Sequence, residues 1–190
     1  MTKIAIFASG SGTNAQRIAE YFKNSSHITI DIILTNRRDA YVIERAKNLG
    51  IPAKVFSRED FYKTGEVFQE LKRRNIDFIV LAGFLWLVPS EIINAYKGKI
   101  VNIHPALLPN YGGKGMYGSF VHKAVVANKE KFSGITIHFV NENYDEGDMI
   151  FQAKCELLPQ ETPESLAEKI HVLEYEHFPM IIEQVLEKQL

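Results

Sequence analysis

The stretch Lys99-Ile-Val-Asn-Ile-His-Pro-Ala-Leu-Leu-Pro109 joins a β-branched apolar run to an amide, an imidazole and a proline. Its β-branched residues predict a strand, and residues two apart on a strand point to the same face. Asn102 and His104 are therefore expected to project together. Pro105 keeps His104 out of the helical region and ends the strand. A neutral donor beside a titratable group at a rigid strand end suits the stabilisation of a developing oxyanion.

Strand and helix signals alternate on both sides of this stretch, which predicts an α/β fold. We expect a Rossmann-like, mostly parallel twisted sheet of about seven strands flanked by helices. The predicted strands are residues 3–8, 28–35, 53–56, 77–82, the strand of Asn102 and His104, 135–140 and 149–156. The predicted helices are residues 14–23, 40–48, 58–74 after an N-cap at Ser57, 89–96, 119–128 and a last helix that begins at Thr162-Pro163. Pro179 is expected to kink or interrupt that last helix, and residues 106–118 are expected to form a glycine-rich loop.

The chain has 190 residues, of which 46% are hydrophobic and 24% charged, and we expect a single domain over residues 1–190. The net charge of −1 disfavours nucleic-acid binding as the main activity. Cys155 is the only cysteine, which excludes an intrachain disulfide and a CxxC-type metal site. The first apolar run is too short for a signal peptide, and no run approaches the roughly 20 residues that span a bilayer. We therefore expect a cytoplasmic protein with no membrane partner.

The segment Gly10-Ser-Gly-Thr-Asn-Ala15 lies between the first strand and the first helix and satisfies the pattern G-x-G-x-x-G/A. In a dinucleotide-binding fold the second strand ends in an acidic residue for the ribose hydroxyls. Here it ends in Thr35-Asn36, so we interpret the loop as a cradle for a monophosphate. Backbone N–H groups and the helix N-terminus would face the phosphate, and Thr13 and Asn14 add donors. The alternative is a tight turn without a ligand.

For Asn102 and His104 the alternative is a buried amide and a structural histidine. Their shared position at the carboxyl end of a strand in an α/β sheet favours a site. A carboxylate near His104 would raise the imidazole pKa and favour the protonated form. The loop between the last two strands offers four candidate acids, which are Glu142, Asp145, Glu146 and Asp148. Spacing alone does not choose among them, and all four are also compatible with a solvated turn.

Three other features are also compatible with a role that involves no ligand. His138 is expected to be a satisfied interior histidine. His171 and Glu174 share one side of the last helix and either line a pocket or face water. The segment Gly83–Val88 is either core or the wall of a pocket for a flat heteroaromatic ligand. The histidines include no HExxH motif and no pair at i, i+4, and we predict no metal site.

In their order along the chain these motifs resemble the phosphoribosylglycinamide formyltransferase family. The matching segments are Ala8-Ser-Gly-Ser-Gly-Thr-Asn14, Leu81-Ala-Gly-Phe84, Val101-Asn-Ile-His-Pro-Ala-Leu-Leu-Pro109 and Asp145-Glu-Gly147. The similarity spans almost the whole chain. It implies the formyltransferase fold and formyl transfer from 10-formyltetrahydrofolate, as co-substrate, to glycinamide ribonucleotide in purine synthesis. It also implies small-molecule substrates only, no requirement for metal or ATP, and a monomer or weak homodimer.

The resemblance assigns catalytic roles to Asn102 and His104, and it selects Asp145 as the acid that tunes His104. Phosphate and ribose binding is implied for Gly12, Thr13, Asn14, Ala15 and Gln16. Glycinamide binding is implied for His171 and Glu174. Arg58 matches an arginine that contacts folate, and it is a natural partner for an anionic folate tail. Walls of the pterin pocket are implied for Leu85, Trp86, Leu87, Val88, Asn141, Glu142, Asn143 and Tyr144.

The chain departs from the family pattern at three places. Trp86 stands where many relatives carry a basic residue, and His171 stands where a glutamine is common. The segment Gly112–Gly118 replaces a loop that usually contains proline and histidine. These differences concern the loop and the folate tail.

Related enzymes on the same core define the alternatives. Methionyl-tRNA formyltransferase needs an added tRNA-binding domain, and formyltetrahydrofolate hydrolase carries an extra amino-terminal domain. A sugar-nucleotide N-formyltransferase should hold a diphosphate. A non-catalytic sensor of nucleotide phosphates would not need Asn102, His104 and Asp145 together.

Overall fold

The computed structural model describes residues 1–188. The strands are β1 (Thr2–Phe7), β2 (Ile28–Thr35), β3 (Ala53–Val55), β4 (Phe78–Leu81), β5 (Ile100–His104), β6 (Phe132–Phe139) and β7 (Met149–Glu156). The helices are α1 (Thr13–Phe22), α2 (Val42–Leu49), α3 (Arg58–Tyr62), α4 (Glu66–Arg73), α5 (Ser90–Ala95), α6 (Ser119–Ala127) and α7 (Pro163–Glu187). The strand order is β3-β2-β1-β4-β5-β6-β7. Strand β1 pairs in parallel with β2 and β4, and β6 pairs antiparallel with β7. The predicted α/β class with a mostly parallel sheet is confirmed.

The chain divides into two compact units, Met1–Val101 and Asn102–Leu190. In the first unit, residues 4–7 of β1 and all of β4 are apolar and buried, as expected for parallel strands covered on both faces. Helix α1 turns Ala15, Ile18, Ala19 and Phe22 inward. In the second unit, α6 and α7 pack together and α7 also contacts the β6–β7 hairpin.

Residues 58–74 do not form the single predicted helix. The chain forms α3 and then α4, because Gly65 adopts a left-handed conformation with φ +68° and caps α4. The predicted N-cap at Ser57 is present, and its side chain accepts a hydrogen bond from Asp60 N. A glycine in the left-handed region stops one helix and allows the next to begin in a new direction.

The predicted start of β6 and the interruption that Pro179 could cause need correction in the second unit. Strand β6 begins at Phe132 rather than at residue 135. Pro179 does not interrupt α7, which is continuous from Pro163 to Glu187. A proline inside a helix removes one N–H donor, but Phe178, Ile181 and Ile182 beside it are buried. Their packing holds the helix on both sides of the missing hydrogen bond. No helix in residues 1–188 is both long enough and apolar enough to cross a membrane.

Candidate active site

Four polar side chains from β5, β6 and the loop after β6 lie against one another in the second unit. Asn102 Nδ2 lies 3.1 Å from His138 Nε2. The Asp145 carboxylate contacts both histidines, with Oδ2 3.5 Å from His104 Nδ1 and Oδ1 3.6 Å from His138 Nε2. His104 and His138 are only 3% and 2% exposed. The cluster therefore contains the predicted trio Asn102, His104 and Asp145, with His138 in contact with two of its members.

Asp145 reaches this cluster through an unusual backbone conformation. Its φ of +58° lies in the left-handed region, which aspartate tolerates better than most residues. At Gly147 a Cβ atom would lie 1.7 Å from the carbonyl oxygen of Phe139, so only glycine lets the loop return this close to the end of β6. Three other acids of the loop, Glu142, Glu146 and Asp148, are exposed. The loop therefore presents one carboxylate, that of Asp145, to His104.

The burial and hydrogen bonding of His138 agree with its expected place in the interior. Its Nδ1 lies 2.7 Å from the carbonyl oxygen of Phe139, so Nδ1 donates there and Nε2 accepts a hydrogen bond from Asn102. The contact of His138 with the predicted trio is what sequence reasoning missed. Alternation along β6 places His138 on one face, but its proximity to Asn102 follows from the order of the strands, which the local pattern does not reveal.

Asp145 raises the pKa of His104, as expected, but it does not set the net direction of the shift. Burial lowers the pKa of His104, and this effect outweighs the opposing influence of the Asp145 charge and the Tyr111 carbonyl. Burial by itself raises the pKa of Asp145, but the neighbouring His104 and the N–H of Gly113, which donates to Oδ2, help to bring it below its ordinary value. Asp145 is therefore a carboxylate whose charge opposes the effect of burial on the pKa of His104 but does not cancel it.

In the first unit the predicted phosphate loop leads into α1. Gly12 has φ +75°, provides no capping side chain and is followed by a first turn without acidic residues. A Cβ atom on Gly12 would lie 2.3 Å from Val42 Cγ2, so α2 packs directly on the loop. Thr13 is the first residue of the helix, and Gln16 N donates to Gly12 O over 2.9 Å. A helix N-terminus without an acidic cap has the electrostatic character that attracts an anion.

Arg45 is a cation beside this loop that sequence reasoning missed. Its Nε donates to the carbonyl oxygen of Ser11 over 2.8 Å, and its Nη1 donates to Gln16 Oε1. The guanidinium carbon lies 5.0 Å from the centroid of the Tyr41 ring. Within the predicted helix 40–48 nothing distinguishes Arg45 from other surface cations, because its position against the loop depends on how α2 packs.

Arg58 lies against an aromatic surface of the first unit. Its guanidinium carbon is 5.0 Å from the centroid of the Tyr62 ring and 5.6 Å from that of the Trp86 ring. Tyr62 Oη donates to Leu87 O over 2.8 Å, which fixes the first ring. A guanidinium that stacks on aromatic faces keeps its N–H groups directed along its edge, where a carboxylate binds. Leu85 is 37% exposed and Val88 is 6% exposed, so this predicted wall is partly open and partly core.

The remaining predicted binding residues lie in the second unit. Glu174 is 7% exposed on α7, while the exposed His171 stacks on Tyr175 with ring centroids 5.8 Å apart. Residues 141–144 belong to the loop after β6. In that loop Asn143 N donates to Asn141 Oδ1 over 2.9 Å, and Glu142 is exposed. Within residues 1–188, no group of three or more histidine, cysteine, aspartate and glutamate side chains is arranged to hold a metal ion.

Comparison with known proteins identifies relatives along the full length of the chain. The model of the formyl transferase family matches residues 2–182. A phosphoribosylglycinamide formyltransferase of Bacillus subtilis is 33% identical over 98% of this chain and 95% of its own length. A chloroplastic phosphoribosylglycinamide formyltransferase of Arabidopsis thaliana is 38% identical over 99% of this chain. This chain spans 66% of the length of that relative and 62% of the length of a similar protein from Vigna unguiculata. The crystal structure of phosphoribosylglycinamide formyltransferase from Bacillus halodurans superposes with a TM-score of 0.89, at 35% identity over 100% of this chain and 97% of that one.

Proposed function

The chain belongs to the formyl transferase family, and from that premise we propose that it transfers the formyl group of 10-formyltetrahydrofolate to the amine of 5'-phosphoribosylglycinamide in de novo purine biosynthesis. The observation that carries the proposal is the cluster of Asn102, Asp145 and the buried His104. Its members stand at the positions of the family motif, and His104 and Asp145 lie within 3.5 Å of each other. The names of the relatives reported above favour this reaction over a hydrolase, a sugar-nucleotide N-formyltransferase or a sensor.

The proposed reaction is direct attack of the substrate amine on the formyl carbon. A tetrahedral intermediate forms, and Asn102 together with protonated His104 stabilises its oxyanion. Burial lowers the pKa of His104, so the negative charge of the oxyanion would favour the imidazolium most strongly at the moment when that charge develops. The amine loses a proton and the departing folate nitrogen gains one, through water near Asp145. Neither ATP nor a metal ion takes part in this scheme.

Substrate binding is proposed for residues of each unit. In the first unit, Gly12 to Gln16 would hold phosphate and ribose at the N-terminus of α1, and Arg58 would bind the anionic folate tail. In the second unit, His171 and Glu174 of α7 would bind the glycinamide portion. Leu85–Val88 and Asn141–Tyr144 would contact the pterin. The partners are small molecules, and a monomer or weak homodimer in the cytoplasm remains the prediction.

The decisive experiment follows formyl transfer from a 10-formyl folate by absorbance, with and without glycinamide ribonucleotide. Deformylation that depends on glycinamide ribonucleotide is expected. Formate release without an acceptor would indicate a hydrolase, and tight binding without turnover would indicate a sensor. A UDP-amino sugar as the only effective acceptor would indicate a sugar-nucleotide enzyme. Each of these three results would overturn the proposal.

A further inference from the structure

One loop residue, Tyr111, connects the candidate catalytic histidine to the C-terminal end of α6. Its carbonyl oxygen lies 2.7 Å from His104 Nε2. Its phenol donates to Glu130 Oε1 over 2.6 Å and accepts from Asn128 Nδ2 over 2.8 Å. The backbone of Tyr111 therefore contacts the site while its side chain is anchored outside it.

The backbone of Tyr111 needs this anchor. Its φ of +58° lies in the left-handed region, which is uncommon for a bulky residue and persists where the surroundings impose it. The two hydrogen bonds of the phenol fix the side chain, and they lie at the opposite end of the residue from the carbonyl. The direction of that carbonyl toward His104 thus depends on the phenol.

Both ring nitrogens of His104 face an acceptor. Nε2 faces the Tyr111 carbonyl at 2.7 Å, and Nδ1 faces Asp145 Oδ2 at 3.5 Å. A neutral imidazole has a single N–H donor, so it satisfies one of these acceptors, whereas the imidazolium satisfies both. Gly113 N of the same loop donates to Asp145 Oδ2 over 2.9 Å. The loop therefore orients both partners of the His104–Asp145 pair.

We propose that Tyr111 is a positioning residue, whose phenol, anchored on Asn128 and Glu130, holds its carbonyl against His104, where it favours the protonated imidazole and fixes its orientation until the formyl oxygen takes over the Nε2 hydrogen bond. The effect of Tyr111 on turnover rests on the proposed function, whereas the hydrogen bonds of Tyr111 do not depend on it. The role of Tyr111 is to act through His104, without contact to the reacting atoms.

The charged and titratable groups around His104 in the second unit set the direction of the effect. Burial lowers the pKa of His104, the Asp145 charge and the Tyr111 carbonyl raise it, and His138 lowers it. His122 of α6 is also electrostatically coupled to His104. The Tyr111 contact is one of two influences that oppose burial. Its loss therefore favours neutral His104.

The test compares wild type with Tyr111→Phe, which removes both phenol hydrogen bonds and keeps the ring. NMR titration of the ligand-free proteins follows the His104 ring signals, assigned by their absence in His104→Gln. We expect an approximately threefold lower proton affinity of His104 in Tyr111→Phe. The alkaline limb of the pH profile of kcat should move to lower pH in the same proportion, since the neutral imidazole is the inactive form.

Tyr117→Phe is the matched control, because Tyr117 belongs to the same part of the chain, is 42% exposed and packs its ring on Phe120. Its His104 titration should equal that of wild type. An unchanged His104 titration in folded Tyr111→Phe would overturn the proposal. If Tyr111→Phe does not fold, Asn128→Ala removes one of the two hydrogen bonds from an exposed position without changing charge, and an unchanged titration there has the same consequence. If the His104 titration shifts in Tyr111→Phe but the wild-type protein shows no formyl transfer, the proposed function is refuted and the positioning role of Tyr111 stands.

Discussion

Asn102 donates from Nδ2 to Nε2 of His138 over 3.1 Å, and His138 in turn donates from Nδ1 to the carbonyl of Phe139 over 2.7 Å. This chain of hydrogen bonds fixes which end of the Asn102 amide carries the donors. One N–H of the amide is used by His138, and the second is the donor that the proposed oxyanion needs.

Asn102→Ala should therefore lower kcat for formyl transfer by about 10²- to 10³-fold, the usual cost of losing one oxyanion donor. KM should change little, since the interaction develops in the transition state. Steady-state kinetics at saturating folate measure both constants. Asn24→Ala, at an exposed position, is the control. A loss of less than about tenfold in folded Asn102→Ala would remove this residue from the mechanism.

His104→Ala and Asp145→Ala should each lower turnover by at least about 10²-fold while the protein stays folded. The two residues lie 3.5 Å apart and act as one unit, so the double variant should lose little more than the worse single variant. Turnover and circular dichroism are measured together, with the exposed His27→Ala as control. Near-wild-type turnover in folded His104→Ala contradicts the assignment, and multiplicative losses in the double variant contradict the pairing.

Local patterns suffice to predict most elements of the fold. Strands 28–35 and 149–156 have the predicted bounds in the structure, because alternation and apolar runs are properties of neighbouring residues. The break at Gly65 depends on a left-handed backbone conformation, which glycine adopts in some contexts and not in others. The continuity of α7 through Pro179 depends on packing that comes from other elements.

The candidate site is predictable where one segment carries the chemistry, as with Asn102 and His104. Three contacts with predicted site residues join segments that are distant in sequence or separated by turns. These contacts are made by His138, Arg45 and Tyr111. No periodicity encodes such contacts. The raising effect of a nearby carboxylate on the pKa of His104 is predictable, but the net lowering is not, since it is decided by the burial of the ring.

Gly12→Ala should destabilise the first unit and weaken nucleotide binding. The new methyl group would meet Val42 at 2.3 Å, and φ is +75°, so both overpacking and backbone strain contribute, about 2–4 kcal/mol in all. Urea unfolding gives the free energy, and the KM for glycinamide ribonucleotide should rise. Gly10→Ala is the matched control, because a Cβ atom on Gly10 would meet nothing within 4 Å and its backbone lies outside the left-handed region. Equal stability of the two variants would show that Val42 does not constrain the loop.

Glu70→Gln should destabilise the protein in a pH-dependent way. The Glu70 carboxylate is buried on α4, where it contacts Lys54 Nζ at 2.9 Å, Arg74 Nε at 2.5 Å and the guanidinium of Arg73. Hydrogen bonding to Lys54, with further help from the two arginines, lowers the pKa of Glu70 from 4.5 to about 2. An acid whose pKa is depressed by folding stabilises the native state above its unfolded pKa, and this contribution is lost as pH falls toward the folded pKa.

The expected loss in the free energy of unfolding of Glu70→Gln is about 1–2 kcal/mol at pH 7, which allows for solvent screening of the three cations. The difference from wild type should stay constant down to about pH 5 and then shrink as the pH falls toward about 3, because wild type progressively binds a proton on unfolding. Urea unfolding at several pH values measures it, with the exposed Glu44→Gln as control. A difference that is the same at about pH 7 and about pH 3.5 would mean that packing, and not the charge of Glu70, holds α4 against Lys54 of β3.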